Sequence, residues 1–175
     1  PQLIDTLTAV EDRAFFDHYG INPFAILRAV VANIRAGRMV QGGSTLTQQL
    51  AKNLFLTRER TLTRKLREAL ITLILEFHYE KEEILQAYLN EVYFGQDQHR
   101  SIHGVGMASH FFFGHDASQL TLAESALLVG MLKGPSRYNP RRHPQRAKQR
   151  RDLILDLLAQ QGVVSEGEAN RAKRK

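Results

Sequence analysis

The stretch TLTRKLREALITLILEFHYE (residues 61–80) contains the longest helical repeat of apolar residues in this 175-residue chain. Its apolar side chains recur every three or four residues, as on one face of an α-helix: Leu62, Leu66, Ala69, Leu70, Leu73, Ile74 and Phe77. Thr61 stands directly before this run, where a threonine hydroxyl commonly caps a helix. The stretch therefore predicts a long helix that is buried along its apolar face.

The same repeat predicts helices along most of the remaining chain. They cover 2–17, 24–37, 44–54, 84–95, 121–132, 144–161 and a short terminal segment that begins at Ser165. The helix over 144–161 is expected to turn four side chains inward, namely Leu153, Ile154, Leu157 and Leu158. Capping boxes at Thr121–Glu124 and Ser165–Glu168 mark two helix starts. Since only 111–113 resembles a strand, the sequence predicts one all-α domain over residues 1–175.

Composition and charge exclude several classes of protein. The chain has no cysteine, which removes disulfides, thiolate metal sites and a cysteine nucleophile. No apolar run approaches the roughly 20 residues that a membrane span needs. The net charge of +6 is concentrated in residues 21–67 and 135–175, which carry +8 and +7. Such blocks indicate either an anionic partner (nucleic acid, lipid headgroups or a phosphorylated substrate) or solvated helix faces.

Glu11 is the first candidate catalytic residue. It lies on or beside the apolar stripe of its own predicted helix, with Leu7, Val10, Ala14 and Phe15 as neighbours. A desolvated carboxylate is costly unless it is paired, and desolvation makes it a better general base. The spacing alone favours equally an ion pair with Arg13 or a distant arginine, so both interpretations stay open.

The segment GGSTLTQQLAKN (42–53) is a candidate anion site. Paired glycines before a predicted Ser44 cap allow a close turn onto a helix N-terminus, whose N–H groups and dipole favour anions. Gln48, Gln49 and Lys52 are expected on an exposed face, away from Leu46, Leu50 and Leu54, where they suit sugar hydroxyls and phosphate. Each alone is ordinary surface polarity, but basic residues follow at once: Arg58, Arg60, Arg64, Lys65 and Arg67.

The segment RKLRE (64–68) places Arg64 and Lys65 one helical turn before Glu68. This spacing fits a surface salt bridge or the polar mouth of a cleft beside a buried helix. The histidines show no zinc spacing, and neither a GxSxG nor an SxxK nucleophile motif occurs.

Together these blocks resemble the peptidoglycan glycosyltransferase domain, glycosyltransferase family 51, of class A penicillin-binding proteins. The matching segments are EDRAFFDHYG (11–20), GGSTLTQQLAKN (42–53), RKLRE (64–68), KEEILQAYLNEVYFG (81–95) and HGVGMASHFFFG (103–114). They occur in the family's order over nearly the whole chain, and the region after Tyr88 looks like that of the bifunctional members. His115 departs from the family, in which Lys or Arg is common at this position.

The resemblance implies a lysozyme-like helical fold with a small jaw that faces the membrane, here about residues 21–41. That segment mixes apolar side chains with Arg28, Arg35 and Arg38, as suits an anionic bilayer surface. The implied location is the outer, periplasmic face of the bacterial cytoplasmic membrane, with an anchor outside this chain. A transpeptidase domain, absent here because no SxxK occurs, is the implied fusion partner.

The resemblance also implies the reaction and the residues that perform it. An inverting transferase would join lipid II to a lipid-linked glycan through a β-1,4 bond and release undecaprenyl diphosphate. Glu11 would be the general base, and Glu68 would position the diphosphate, with a divalent cation (Mg²⁺ or Mn²⁺) as a candidate bridge. The residues implied to bind substrate are Asp12, Phe16, Ser44, Thr45, Gln48, Gln49, Lys52, Arg60, Arg64 and Lys65.

Two other classes of protein remain as alternatives. A lysozyme-like peptidoglycan hydrolase would use a similar glutamate as general acid, but it needs no dense basic block for a diphosphate. A helical nucleic-acid-binding protein would explain the positive charge, but not a glutamate on an apolar stripe. We therefore expect a membrane-associated enzyme that does not bind nucleic acid.

Overall fold

The computed structural model describes residues 2–38, 42–56, 61–97 and 100–175. Helices account for 67% of it, and this confirms the predicted fold class. In chain order the elements are α1 (Gln2–Glu11), α2 (Pro23–Ala36), α3 (Leu46–Phe55), α4 (Leu62–His78), α5 (Lys81–Glu91), β1 (Tyr93–Asp97), β2 (Arg100–His103), α6 (Val105–Phe113), a 3₁₀ turn (Ala117–Gln119), α7 (Leu122–Leu132), α8 (Pro144–Gln160) and α9 (Glu166–Lys173).

The chain divides into two compact units, which we call the terminal unit (residues 1–13 and 89–175) and the central unit (residues 14–88). In the terminal unit α7 packs against α1 and α8, and α9 packs against α8. The core of this unit consists of apolar side chains that are at most 2% exposed, among them Leu7, Phe94, Ala126, Leu128, Val129, Met131, Ile154, Leu155 and Leu158. The terminal unit is thus stabilised by ordinary burial of apolar surface.

Three predictions about elements of the terminal unit are wrong. The strands are β1 and β2, an antiparallel pair with Gly95 opposite Ile102, whereas residues 111–113 are the last turn of α6. Helix α1 ends at Glu11 rather than at residue 17. On α8, Leu153 is 61% exposed and Leu155 is buried instead, because the apolar run 153–155 surrounds too much of the helix to fix one face.

A histidine–glutamate pair connects the loop after α6 to the start of α7. His115 Nε2 lies 3.0 Å from Glu124 Oε1, and His115 Nδ1 lies 3.1 Å from the carbonyl oxygen of Asp116. Hydrogen bonding to the Asp116 carbonyl and to Glu124 raises the pKa of His115. Burial raises the pKa of Glu124, but hydrogen bonds from Thr121 and His115 outweigh it and lower that pKa. The same glutamate completes the predicted capping box with Thr121.

Helix α4 of the central unit buries its polar face and exposes its apolar face. The residues that α4 buries are Glu68 and Thr72, 2% and 0% exposed. Its apolar residues are exposed instead, with Leu62, Leu66, Leu70, Leu73, Ile74 and Phe77 between 47% and 91% accessible. Thr61 caps the helix as predicted. The prediction of a buried apolar face on α4 is therefore wrong, because no described element of the chain covers that face.

Helix α2 also exposes most of its apolar side chains. The Asn22 side chain caps its start, and Gly37, in the left-handed region at φ 62°, ends it as predicted. Only Ala29 is buried, while Phe24, Ile26, Leu27, Val30, Val31 and Ile34 are all exposed. None of the described helices is long and apolar enough to cross a membrane.

Candidate active site

The predicted site residues are distributed over both units. Glu11 is the last residue of α1 in the terminal unit, and it is half-buried. Asp12 follows it, is 6% exposed, and its N–H donates to the carbonyl of Thr8 at 3.0 Å. Both residues lie at the carboxyl-terminal end of α1.

In the central unit, the predicted anion segment turns onto α3 in a very confined space. A Cβ on Gly43 would lie 2.9 Å from the Cα of Ile26, so this position has no room for a side chain. The helix cap is Thr45 rather than the predicted Ser44. The Thr45 hydroxyl accepts from the N–H of Gln48 at 3.1 Å, and Gln48 Oε1 accepts from the N–H of Thr45 at 3.0 Å. Ser44 does not cap the helix and is exposed.

Glu68 is the centre of a cluster of charged side chains at the start of α4. Its side chain is 3% exposed, and one carboxylate oxygen lies 3.0 Å from Arg64 Nη1. The other oxygen accepts from Lys65 Nζ, which also donates to the Ser44 hydroxyl at 3.2 Å. The Lys65 side chain keeps 47% of its surface exposed, and Arg64 Nε is buried without a hydrogen-bond partner. The cluster thus joins α4 to the segment before α3 and still presents N–H donors.

The remaining predicted residues differ in their surroundings. Gln48 is buried by the cap, so the prediction of an exposed face is wrong for it, and Leu54 is 42% exposed. Gln49 is half-buried, and its Oε1 accepts from Tyr88 Oη at 3.1 Å. Lys52 is exposed in the last turn of α3. Arg60 lies outside the described residues.

Phe16, another predicted substrate contact, is accessible to a ligand. Its side chain is 53% exposed, and its ring stands edge-to-face against the buried ring of Phe15, with centroids 5.0 Å apart. Phe15 therefore fixes the orientation of Phe16 at the surface of the central unit.

Sequence reasoning missed a second polar cluster on α4. Glu76 has a side chain that is 5% exposed and pairs with Lys81 at 2.8 Å. The signal was present in the sequence, since Lys65, Glu68, Thr72 and Glu76 are spaced by three, four and four residues and share one helix face. The apolar stripe on the opposite face predicts burial of that face, and the polar face is therefore not predicted to be inside.

The charges suit an anionic ligand better than a metal ion. Both oxygens of Glu68 are already engaged by cations, and no three His, Cys, Asp or Glu residues of the described chain group into a metal site. The predicted Mg²⁺ or Mn²⁺ stays a prediction. Guanidinium and ammonium groups beside a hydroxyl are typical of diphosphate binding.

Comparison with known proteins agrees with this chemistry. Residues 1–159 match the Transglycosylase family. The chain is 57% identical to penicillin-binding protein 1B of Haemophilus influenzae over 94% of its own length and 21% of that protein. It is 52% identical to penicillin-binding protein 1B of Escherichia coli K12, over 94% of this chain and 19% of that protein. The chain therefore spans about a fifth of the length of these relatives.

The structural comparison points the same way. The crystal structure of penicillin-binding protein 1A from Haemophilus influenzae matches 74% of this chain and 16% of that chain, with a TM-score of 0.50 and 26% identity. The resemblance seen in the five motifs is thereby confirmed. With the family match covering nearly all of its length, the chain belongs to the transglycosylase family of the class A penicillin-binding proteins.

Proposed function

We propose that this domain is a peptidoglycan glycosyltransferase that polymerises lipid II into β-1,4-linked glycan strands. The observation that carries the proposal is the buried Glu68, held by Arg64 and Lys65 beside Ser44. Such a cluster supports the binding of a diphosphate leaving group, because its cations have exposed surface and its carboxylate fixes their geometry. The family match supports the same activity.

The proposed reaction inverts the configuration at the anomeric carbon of the donor sugar. The Glu11 carboxylate takes the proton of the acceptor hydroxyl, whose oxygen then bonds to the anomeric carbon of the lipid-linked donor. The bond from that carbon to the diphosphate oxygen breaks on the opposite face, and undecaprenyl diphosphate leaves. Arg64, Lys65 and Lys52 stabilise the negative charge that develops on this leaving group. Phe16, Asp12 and residues of the α3 segment are further substrate-binding residues in this proposal.

We further propose that the central unit rests on an anionic membrane surface, on the outer face of the cytoplasmic membrane. Helix α2 supports this, because it exposes six apolar side chains together with Arg28 and Arg35. An amphipathic helix with this composition is typical of the lipid headgroup region. Since the relatives are about five times longer, we place the domain in a longer protein that supplies an anchor and a transpeptidase domain.

Glu11→Gln tests the proposed reaction most directly. We expect polymerisation of lipid II in detergent to fall about 10²–10⁴-fold, the usual contribution of a general base. Asp5→Asn on the same helix is the matched control and should leave the rate unchanged. Wild-type rates in Glu11→Gln would contradict the assignment of the base. Cleavage of finished glycan, with no polymerisation of lipid II, would favour a hydrolase instead.

A further inference from the structure

Four segments of the central unit meet at the carboxylate of Glu76, on the inner face of α4. Its Oε1 accepts from the Thr47 hydroxyl of α3 at 2.5 Å. Lys81, at the start of α5, lies 2.8 Å from each carboxylate oxygen. Because Glu76 and Lys81 have side chains only 5% and 18% exposed, this ion pair is largely shielded from water.

The same pair contacts the loop within the segment EDRAFFDHYG (11–20). Lys81 Nζ lies 4.6 Å from the centre of the Phe15 ring, a cation–π contact. Gly20 packs directly on α4, since a Cβ there would lie 2.7 Å from Glu76 Cγ and 2.6 Å from Thr72 Cγ2. Its positive φ of 80° and this contact together require glycine. The carbonyl of Gly20 in turn accepts from the Thr45 hydroxyl at 2.5 Å.

The segment that begins α3 is therefore attached to α4 at two places. At one end Lys65 donates to Ser44, and at the other Thr47 donates to Glu76. Thr47 is fully buried, so its hydroxyl has no water to replace Glu76. Loss of the second attachment would free Ser44 and Thr45 to shift relative to Lys65 and Glu68. The diphosphate donors would then lose their fixed geometry.

We propose that Glu76, with Thr47 and Lys81, is a positioning residue of the glycosyltransferase site. It contacts no substrate. It fixes residues 44–47 and the loop at Gly20 against α4, and so holds Ser44 and Lys65 where they bind the diphosphate. This inference rests on the proposed function for the identity of the ligand.

The test removes the Thr47–Glu76 hydrogen bond with little change in volume. Thr47→Val replaces the hydroxyl with a methyl group, and Thr47→Ser restores it. With farnesyl diphosphate in detergent micelles as the probe, we expect Thr47→Val to raise the Kd about tenfold, as for one lost buried hydrogen bond. Thr47→Ser should recover most of the affinity. Glu76→Met, which removes the acceptor for Thr47, should behave like Thr47→Val, whereas Glu82→Gln, which changes an exposed carboxylate near Lys81, should match the wild type.

Thermal melting of each variant separates positioning from general stability. A lower Tm with wild-type affinity and wild-type kcat/KM, both measured well below the melting point, would overturn the inference. Failure of Thr47→Ser to restore affinity would also overturn it. If the affinities follow the expected pattern but the wild type makes no polymer, the proposed function falls and the positioning role stands. A wild-type protein that does not bind the probe overturns both.

Discussion

Helix α7 of the terminal unit buries Ala126, Leu128, Val129 and Met131, whereas helix α4 of the central unit buries Glu68 and Thr72 and exposes its leucines. Both helices carry enough apolar residues to form a core. The terminal unit therefore has an ordinary apolar core. The central unit has a buried apolar core of its own, which includes Phe15, Leu46 and Tyr88, but it encloses polar side chains on the inner face of α4 and exposes the apolar side chains of α2 and α4. Contiguous exposed apolar surface of this kind marks an interaction site.

Buried side chains therefore serve two purposes in this chain: apolar ones stabilise the fold, and polar ones fix the geometry of the site. The apolar core of the terminal unit stabilises the chain and supports α1, which ends at Glu11. The carboxylates of Glu68 and Glu76 in the central unit are hydrogen-bonded to neighbouring side chains, although Arg64 Nε is buried without a partner. Such networks fix geometry at a cost in desolvation. Matched changes in the two units test this contrast.

Deleting a buried leucine should distinguish the units most strongly. Leu128→Ala in the terminal unit is expected to lower the free energy of unfolding by about 2–5 kcal/mol, because it leaves a cavity in a packed core. Leu70→Ala on α4 should change it by less than about 0.5 kcal/mol, since that side chain is 55% exposed. Urea denaturation in detergent-free buffer measures both. Equal losses would show that the α4 leucines are covered in solution.

Membrane binding should depend on the central unit alone. Replacing Phe24, Leu27 and Val31 of α2 by Ser should weaken binding to anionic vesicles about a hundredfold, at about 1 kcal/mol for each partly buried side chain. The matched control replaces exposed apolar residues of the terminal unit, Met107, Leu153 and Val163, by Ser. Vesicle sedimentation of both triple variants gives the comparison. If α2 were instead a core helix, its variant would unfold, and a loss in both variants would show that the contact is unspecific.

The basic residues of the two units should also differ in what they bind. Lys52→Ala, in the central unit, should weaken binding of a polyprenyl diphosphate by roughly 1.5–3 kcal/mol, as for a charge-assisted contact. Its affinity for sugar fragments without phosphate should stay the same. Lys148→Ala, on α8 of the terminal unit, should affect neither ligand. Calorimetric titration of both variants checks this, and equal losses for both ligands in Lys52→Ala would indicate a structural role.

The smallest expected effect is a change of stability with pH, which arises at the His115–Glu124 pair of the terminal unit. The raised pKa of His115 means that its pairing with Glu124 adds stability that is complete below the ordinary histidine value of 6.5. This stability is lost as the pH rises through the raised value. Because the pKa of Glu124 is lowered, the stability that its ionised form contributes is complete above the ordinary value of 4.5. It is lost only as the pH falls through the lowered value. The neighbouring His110 pairs with Asp116, which also contacts His115 through its carbonyl.

The Tm should therefore be higher at about pH 6 than at about pH 8, and His115→Gln should reduce that difference. His78→Gln, an exposed histidine on α4, is the control and should retain the wild-type difference. His115→Lys supplies the cation that the family commonly has at this position, and it should keep the Tm high at both pH values. An unchanged pH dependence in His115→Gln would exclude the pair as its source.

The local chemistry of the chain was predictable because it depends on near neighbours. The caps at Thr61, Thr121 and Ser165 follow from hydroxyls that reach the third N–H of the next helix. The pairing of Arg64 and Lys65 with Glu68 follows from helical spacing. The family was identified from five motifs in order. The hairpin β1–β2 was missed because strands of five and four residues show too few alternations to be distinguished from loops.

The sequence by itself determined that α2 and α4 are helices with one apolar and one polar face, since that depends only on the 3.6-residue period. Only the tertiary structure decided which face is inside. Periodicity records that two faces differ in polarity, but burial depends on which other elements pack against each face. On α4 the neighbours are the polar start of α3, the loop at Gly20 and Lys81, so Glu68, Thr72 and Glu76 are enclosed and the leucines remain outside.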